Sequence, residues 1–322
     1  MKTRILSILR NTDGHISGEK LSDELGITRS AVWKHINSLK EDGYEIDSVR
    51  NKGYRLIKSP DIPDSSIIKA GLETELIGST VIAMKTVDST NEEVKRLAAE
   101  GAREGLTVVS AEQTAGKGRF SRSWSSGNDG GIYFSFLLRP ELPPADIASI
   151  TLAAGYAVCL AIREFTGLDA RIKWPNDIII GRRKLCGILT EMTAQSDRID
   201  HVIVGIGINV NNHSFPEEIS GKATSLYLEA GKEFDRNALL SCVLNMLDKV
   251  ITRFLISLSI DDIEHFKSLC VTMGKTVKIS RAGKEISGEA CSITAAGELI
   301  IRTEDNTELV INSGEVTVQG IY

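Results

Sequence analysis

The sequence predicts an α+β protein of three consecutive parts: a small helical part with a β-hairpin, a larger α/β part on a mixed sheet, and a small C-terminal β-barrel. Helical periodicity followed by two strand-like runs indicates the first part. Helices mixed with neighbouring strands indicate the second, and closely spaced short strands after Gly274 indicate the third. We expect domains at residues 1–60, 65–270 and 271–322.

The composition is that of a folded globular chain, with 42% hydrophobic and 25% charged residues. No signal peptide is visible, because three basic residues stand among the first ten. The longest uncharged run, residues 147–162, is shorter than the ~20 residues that span a bilayer, so we expect a buried helix and no membrane association. The five cysteines form no CxxC pair. This argues against a zinc site or a disulfide framework and favours a cytoplasmic protein.

The N-terminal part has the pattern of a winged helix-turn-helix. After a first helix, Ser17 and Thr28 are placed to cap two further helices, and Gly26 is placed to end the earlier one. Residues 44–49 and 54–57 then predict two strands around a tip that contains Lys52.

This part is expected to bind DNA. Residues 1–58 hold 11 Lys/Arg against 8 Asp/Glu, a net charge of +3, whereas the whole chain carries −5. Polar side chains of the second helix of the motif and the hairpin tip would reach base edges and phosphates. They are Thr28, Arg29, Ser30, Lys34, His35, Asn37 and Lys52. The alternative is a small helical interaction domain with a solvated polar face.

A polar segment with two prolines, residues 59–64, is the predicted linker. Beyond it we expect helices at 91–101, 237–258 and 260–269, and strands at 106–111 and 132–138. A run of strands at 171–174, 178–180, 185–191 and 201–210 is joined by short turns, which favours an antiparallel or mixed sheet. The barrel strands are expected at 276–280, 285–293, 299–303 and 308–311, with turns at 282–283, 296–297 and 305–306.

Four stretches carry candidate chemistry: 88–91 (DSTN), 113–124 (QTAGKGRFSRSW), 173–177 (KWPND) and 205–209 (GIGIN). In the second, two glycines allow the backbone to approach an anion, and Lys117, Arg119 and Arg122 supply positive charge. It is not a Walker A loop, since Gly118 rather than Ser or Thr follows the lysine. Nor is the fourth a dinucleotide fingerprint, since Val210 stands where a third Gly is needed. Taken alone, the loop is better explained as a flexible basic surface loop, and Lys184 alone is equally consistent with a solvated lysine in a turn.

Taken together, these stretches resemble the biotin–protein ligase family in their order and spacing. The resemblance extends along essentially the whole chain. The KWPND stretch, the KLCGILTE stretch at 184–191 and the glycine-rich basic loop are the specific motifs. With the helix-turn-helix, the resemblance is to the bifunctional ligase/biotin operon repressors. It implies that the C-terminal barrel is SH3-like.

The resemblance implies a two-step reaction with ATP and Mg²⁺. Biotin's carboxylate attacks the α-phosphorus of ATP, and a lysine of a biotin carboxyl carrier domain then takes the biotinyl group. Lys184, Arg119 and Asp177 are implied catalytic residues; no side chain is firmly implied as a metal ligand, although Mg²⁺ is expected near Asp177. The implied biotin-binding residues are Ser89, Thr90, Asn91, Gln113, Gly116, Lys117, Gly118, Arg119, Lys184, Gly187 and Gly205. The implied ATP-binding residues are Lys117, Arg119, Arg122, Asn176, Lys184 and Asn209.

The resemblance further implies binding to operator DNA as a homodimer promoted by biotinyl-5′-AMP. Two alternatives stay open: a ligand-sensing repressor without turnover, and a ligase for a related acid such as lipoate. The KWPND stretch favours biotin. The loop departs from the Gly-Arg-Gly-Arg-Arg-Gly-Arg of some members, with Lys117 replacing an arginine and Phe120-Ser121 replacing Arg-Gly. This departure bears on how tightly the adenylate is held.

Overall fold

The computed structural model describes residues 1–10, 12–41, 43–58, 60–127, 130–195, 198–260, 262–281, 284–312 and 314–321. The chain divides into two compact units, Met1–Ile62 and Pro63–Tyr322. Each unit has its own hydrophobic core. Ser59, the first residue of the predicted linker, and the predicted turn at Ala282 and Gly283 lie outside the described residues.

The first unit is the predicted winged helix-turn-helix. Its elements are α1 (Lys2–Arg10), α2 (Gly18–Leu25), α3 (Arg29–Glu41), β1 (Glu45–Val49) and β2 (Gly53–Lys58). Ser17 Oγ accepts from Lys20 N at 3.1 Å, and Gly26 ends α2 with φ 65°, in the left-handed region. Thr28 Oγ1 accepts from Ala31 N at 3.2 Å at the start of α3.

The apolar residues of the three helices meet in a single core with the first strand. Leu21 and Leu25 of α2 are buried in the same core as the apolar residues of α3. Those α3 residues recur at helical spacing, so they lie on one side of the helix. Because that core takes one side of α3, the other sides carry the polar side chains. The buried residues of this core are Ile5, Leu6, Leu9, Ile16, Leu21, Leu25, Val32, Ile36, Leu39, Tyr44 and Ile46.

The second unit contains a seven-stranded mixed sheet flanked by helices. The strands are β3 (Thr80–Val87), β4 (Leu106–Gln113), β5 (Ile132–Leu138), β6 (Ala170–Lys173), β7 (Asp177–Ile180), β8 (Arg183–Gln195) and β9 (Arg198–Ile208). The helices are α4 (Ser65–Ala70), α5 (Thr90–Ala99), α6 (Ile147–Thr166), α7 (Glu217–Ser220), α8 (Leu226–Ala230), α9 (Arg236–Ser257) and α10 (Ile263–Leu269).

The strand order is β3-β4-β5-β9-β8-β7-β6. The β3/β4 pair is parallel, and the other neighbouring pairs are antiparallel. The mixed sheet that the short turns predicted is therefore confirmed.

Helix α6 is the predicted buried helix, although it continues four residues past the uncharged run, to Thr166. It is long and apolar enough to cross a membrane by length and composition, but 72% of its most apolar window is buried inside the protein. Its apolar character is therefore explained by the core, where it lies against α9 and the sheet.

The C-terminal residues form a five-stranded antiparallel sheet. Its strands are β10 (Thr276–Arg281), β11 (Lys284–Ile293), β12 (Leu299–Arg302), β13 (Glu308–Ile311) and β14 (Glu315–Val318), in the order β13-β12-β11-β10-β14. Strands β3 and β14 and helix α4 lie in stretches where no element was predicted.

Candidate active site and nucleic-acid interface

Glycines on two central strands of the seven-stranded sheet open a cavity. In the register of β8 and β9, Gly187 lies opposite Gly207, and Gly205 lies two residues along. A Cβ on Gly205 would lie 2.0 Å from Asn91 Oδ1, and one on Gly207 would lie 2.6 Å from Trp124 Nε1. Side chains from outside the sheet therefore approach its backbone more closely than any other residue type at these positions would permit.

A cavity with an empty volume of about 460 Å³ lies over this glycine patch. It brings together all the predicted biotin-binding residues except Gly116, which is not part of the lining. Residues that were not predicted are Trp124, Ile188, Leu189, Ile206 and Gly207. The full lining is Ser89, Thr90, Asn91, Gln113, Lys117, Gly118, Arg119, Trp124, Asn176, Lys184, Gly187, Ile188, Leu189, Gly205, Ile206 and Gly207.

The polar residues of this lining at the start of α5 form a connected hydrogen-bond network. Thr90 N donates to Gln113 Oε1 at 2.8 Å, and the Thr90 and Ser135 hydroxyls are 2.7 Å apart. Ser135 Oγ donates to Asn91 Oδ1 at 2.6 Å, and Asn91 Nδ2 donates to Glu191 Oε2 at 2.6 Å. Since each side chain is held by a neighbour, the network presents fixed donors and acceptors to a polar ligand.

The start of α5 is itself held by a charged pair. Arg96 contacts the Asp88 carboxylate with both terminal nitrogens, at 3.0 and 2.7 Å. The hydrogen bond from Arg96 lowers the pKa of Asp88 to about 2. The backbone carbonyl of Asp88 also accepts from Ala115 N at 2.8 Å, which ties this turn to the glycine-rich loop.

A carboxylate flanked by two lysines lies beside the cavity. Asp177 Oδ1 is 2.6 Å from Lys184 Nζ, and Asp177 Oδ2 is 4.0 Å from Lys173 Nζ. The register explains the grouping, because Lys173 pairs with Asp177 across β6/β7, and Lys184 pairs across β7/β8 with Ile179, two residues along β7 from Asp177. Lys173 and Asp177 are both only 8% exposed, so their charges act in a site with little water.

A larger cleft of about 1680 Å³ adjoins the cavity. Gly118, Arg119, Trp124, Asn176 and Lys184 line both, so these residues mark the junction. Of the predicted ATP-binding residues, all except Lys117 line the cleft. The full lining is Gly118, Arg119, Phe120, Arg122, Ser123, Trp124, Ser125, Lys173, Trp174, Pro175, Asn176, Asp177, Lys184, Asn209, Phe215, Ile219, Lys222, Ala223, Val316, Thr317 and Ile321.

The basic residues of the glycine-rich loop are held unequally. Arg119 donates to Asn176 Oδ1 at 2.7 Å and to the Gly314 carbonyl at 2.8 Å, which joins the loop to the KWPND turn and the C-terminal sheet. Lys117 pairs with Glu92 at 2.5 Å, and this pairing raises the pKa of Lys117 and lowers that of Glu92.

The middle of the loop has an unusual backbone. Phe120 and Ser121 adopt φ of 55° and 58°, in the left-handed region that favours glycine. Phe120 is also 58% exposed. Non-glycine residues in this region cost roughly 1–3 kcal/mol each, so this part of the loop is held in a conformation that its own residue types do not favour.

Trp124 is a site residue to which the sequence analysis assigned no role. Its ring lies against Gly187 and Gly207, and Lys184 Nζ is 5.3 Å from the ring centroid. Its buried Nε1 has no hydrogen-bond partner in the described part of the chain. The signal in the sequence was the pair of glycines at 187 and 207, which leaves room for a flat ring on adjacent strands.

In the first unit, the predicted DNA-contacting residues lie on the accessible sides of α3 and on the hairpin tip. Thr28, Arg29, Ser30, Lys34 and Lys52 are exposed, and His35 and Asn37 are partly exposed. The sequence analysis did not single out Trp33, which is 57% exposed on the same helix.

Comparisons with known proteins cover all three parts of the chain. Residues 2–55 match an HTH domain, residues 83–209 the biotin/lipoate A/B protein ligase family, and residues 272–318 the biotin protein ligase C-terminal domain. The biotin protein ligase of Aquifex aeolicus, solved in complex with biotin and ATP, is similar with a TM-score of 0.66 at 33% identity, over 75% of this chain and 99% of that chain.

Curated relatives match over nearly the full length. The bifunctional ligase/repressor BirA of Escherichia coli is 29% identical, over 94% of this chain and 92% of the relative. The bifunctional ligase/repressor BirA of Bacillus spizizenii is 39% identical, over 92% of this chain and 92% of the relative. The chain belongs to the biotin protein ligase family, among its bifunctional ligase/repressors.

Proposed function

We propose that this protein activates biotin with ATP, transfers the biotinyl group to a lysine of a biotin carboxyl carrier domain, and represses transcription by binding operator DNA. The observation that carries the enzymatic part is the position of Lys184, which lines both the glycine-floored cavity and the larger cleft and pairs with Asp177. Biotin's carboxylate and the α-phosphate are both anionic, so a cation at this junction offsets their repulsion as they react.

Biotin is proposed to occupy the smaller cavity. Its ring system carries polar atoms that suit the network around Thr90, Asn91 and Gln113, while Trp124 and Ile206 supply apolar surface. The valeryl carboxylate then points toward Lys184. In this orientation, one end of the cavity binds the polar ring system of biotin and the other end holds the carboxylate that reacts.

ATP is proposed to occupy the larger cleft, with its α-phosphate at Lys184. A carboxylate oxygen of biotin attacks the α-phosphorus, the bond to the β-phosphate bridging oxygen breaks, and pyrophosphate leaves with that electron pair. Lys173 lines the cleft but not the cavity, so we assign it to the phosphate side of the reaction. Arg119 and Asn176, which contact each other at the junction, are assigned to holding the nucleotide.

Mg²⁺ is proposed to accompany the nucleotide. The described residues hold no group of three or more His, Cys, Asp or Glu side chains suited to a metal ion. A single carboxylate, Asp177, is nonetheless a sufficient protein ligand when substrate phosphates complete the shell, as is common for Mg²⁺. The ion would supply positive charge to the phosphate oxygens.

In the second step, the amine of the carrier lysine attacks the acyl carbon of biotinyl-5′-AMP and AMP leaves. An amide forms, the acyl–phosphate bond breaks, and the amine loses a proton. Asp177 is assigned as the acceptor of that proton, because it is a buried carboxylate beside Lys184.

The repressor activity is proposed to depend on biotinyl-5′-AMP. One winged helix makes few phosphate contacts, so a homodimer with two such units would bind DNA far more tightly. The adenylate controls this only if it binds the dimerising form better. A cytoplasmic location is part of the proposal, and the five free cysteines fit a reducing compartment.

The test is pyrophosphate release from ATP and Mg²⁺ in the presence of biotin, of lipoate, or of neither, followed by addition of a biotin carboxyl carrier domain. We expect release with biotin and label on a carrier lysine. No release with either acid would indicate a ligand sensor, and release with lipoate alone would indicate a lipoate ligase. Either outcome would contradict the proposed reaction.

A further inference from the structure

Trp33 occupies an unusual position for a tryptophan. It is 57% exposed, whereas Trp174 is 1% exposed and Trp124 is largely covered by the sheet glycines. The core of the first unit uses other residues of α3, namely Val32, Ile36 and Leu39. The fold of this unit therefore does not account for a large aromatic side chain at position 33.

The neighbours of Trp33 on the helix surface are polar or cationic. Residues four apart lie next to each other on a helix, so Trp33 lies between Arg29 and Asn37. Lys40, one further turn along, donates from Nζ to Ser48 Oγ of β1 at 2.9 Å, which puts the hairpin next to the last turns of α3. The row Arg29–Trp33–Asn37 therefore consists of a cation, an aromatic ring and an amide.

This chemistry matches the major groove of DNA. Arginine and asparagine read purine edges through paired hydrogen bonds, and an apolar side chain contacts the thymine methyl group. Lys34 on the next helical position and Lys52 at the hairpin tip are both exposed and suit phosphates. An apolar surface of a partner protein is a poorer match, because it would offer no counter-charge to the cationic side chains beside the ring.

We propose that Trp33 is a sequence-reading residue that packs against a base, most simply a thymine methyl, when α3, the second helix of the helix-turn-helix, enters the major groove. The inference rests on the proposed DNA-binding function. It adds an apolar, salt-independent contact to a set of otherwise polar and cationic ones.

The experiment uses the full chain with biotin, ATP and Mg²⁺ and two duplexes of equal length: the promoter region of the biotin-synthesis genes from the same genome, and its scrambled sequence. Affinities of the wild type, Trp33→Ala, Trp33→Phe and Lys34→Ala are measured at several salt concentrations. Ile57→Ala is the matched control, because Ile57 is 52% exposed on the hairpin of the same unit.

Trp33→Ala is expected to weaken promoter binding by about 10- to 100-fold, the usual cost of one lost base contact, with the scrambled duplex unaffected. Its salt slope should stay that of the wild type. Lys34→Ala should weaken both duplexes and reduce the slope by about one. Trp33→Phe should lose less than Trp33→Ala, and Ile57→Ala should bind as the wild type.

Three results would overturn the inference: promoter binding unchanged in Trp33→Ala, equal losses on both duplexes, or an equal loss in Ile57→Ala. A wild-type protein that did not distinguish the two duplexes would instead contradict the proposed repressor function. The wild-type measurement therefore tests the proposed repressor function, and the measurements on the variants test the role of Trp33.

Discussion

Among single residues, Asp177 lies between two lysines, the buried Lys173 and the partly exposed Lys184. It contacts Lys184 at 2.6 Å and Lys173 at 4.0 Å, each through a different oxygen. A buried carboxylate between two ammonium groups limits their freedom and avoids isolated buried charge. Substrate phosphates can then meet both lysines without first ordering them.

Replacing Lys184 with alanine should reduce biotin-dependent pyrophosphate release by ~10²–10³-fold, because a single preorganised donor at developing charge is typically worth that much. The matched control is Arg183→Ala, since Arg183 precedes it on β8 but pairs with Glu229 at 2.7 Å and lines neither cavity. Near-normal release by a folded Lys184→Ala protein would contradict the assignment.

Replacing Lys173 with glutamine should separate the two half-reactions. Adenylate formation from ATP should fall by ~10–100-fold, because a cation on the phosphate side is lost. Transfer from supplied biotinyl-5′-AMP to the carrier should keep the wild-type rate, since no triphosphate takes part. Both are measured in single-turnover assays, and an equal loss in both steps would show that Lys173 supports the site as a whole.

Among the structural elements, the glycine-rich loop has two basic side chains that are anchored to different extents, Arg119 firmly and Lys117 weakly. Arg119 bridges Asn176 and the Gly314 carbonyl, whereas the Lys117–Glu92 pair is largely solvated, with the lysine side chain 46% exposed. Exposed pairs contribute little, and hydrogen bonds from a cation in a partly buried site contribute more.

Arg119→Ala should therefore release labelled biotinyl-5′-AMP at least ~10-fold faster than the wild type, while Lys117→Ala should change the rate by less than about fivefold. The measurement is the dissociation rate of the labelled adenylate, with thermal unfolding as the control for stability. Equal rates in both variants and the wild type would show that this loop does not retain the adenylate.

The elements that the sequence predicted well are those with strong local signals. Helix α2 has a capping Ser17 and a terminal Gly26, and β5 is buried throughout and apolar at every position except Ser135. By contrast, β3 is an edge strand whose residues are mostly half-buried or exposed, and its apolar run at 81–84 is short and shows no alternation with polar residues.

The candidate site divides in the same way. Lys184, Asp177 and the α5 residues stand in recognisable motifs, so they could be named from the sequence. The contacts of Lys173 and Trp124 depend on strand register and on where a loop returns to the sheet. The contacts of Trp124 join residues far apart along the chain, which local patterns do not encode. Lys173 and Asp177 are only four residues apart, but their pairing depends on the turn between β6 and β7.

At the scale of the whole molecule, the two units are candidates for separate folding. Their cores share no residue, and Asp64, just inside the second unit, caps α4 and donates from its backbone N to Asn237 Oδ1 at 2.9 Å. A cut between the units should therefore preserve Asp64.

A protein that begins at Pro63 should biotinylate the carrier at the rate of the full chain and lose specific binding to promoter DNA, because separate domains commonly fold alone. Circular dichroism and thermal unfolding check that it folds. Specific promoter binding by the folded shorter protein would contradict the assignment of DNA binding to the first unit.

A single intermediate, biotinyl-5′-AMP, is proposed to serve both the transfer reaction and repression. The most direct measurement is promoter-duplex affinity and sedimentation at fixed salt without ligand, with biotin alone, with biotin and ATP, and after adding unmodified carrier to the last mixture. We predict dimers and tight promoter binding only with biotin and ATP, and release from DNA as the carrier consumes the adenylate. Equal dimerisation and equal affinity in all four mixtures would contradict the claim.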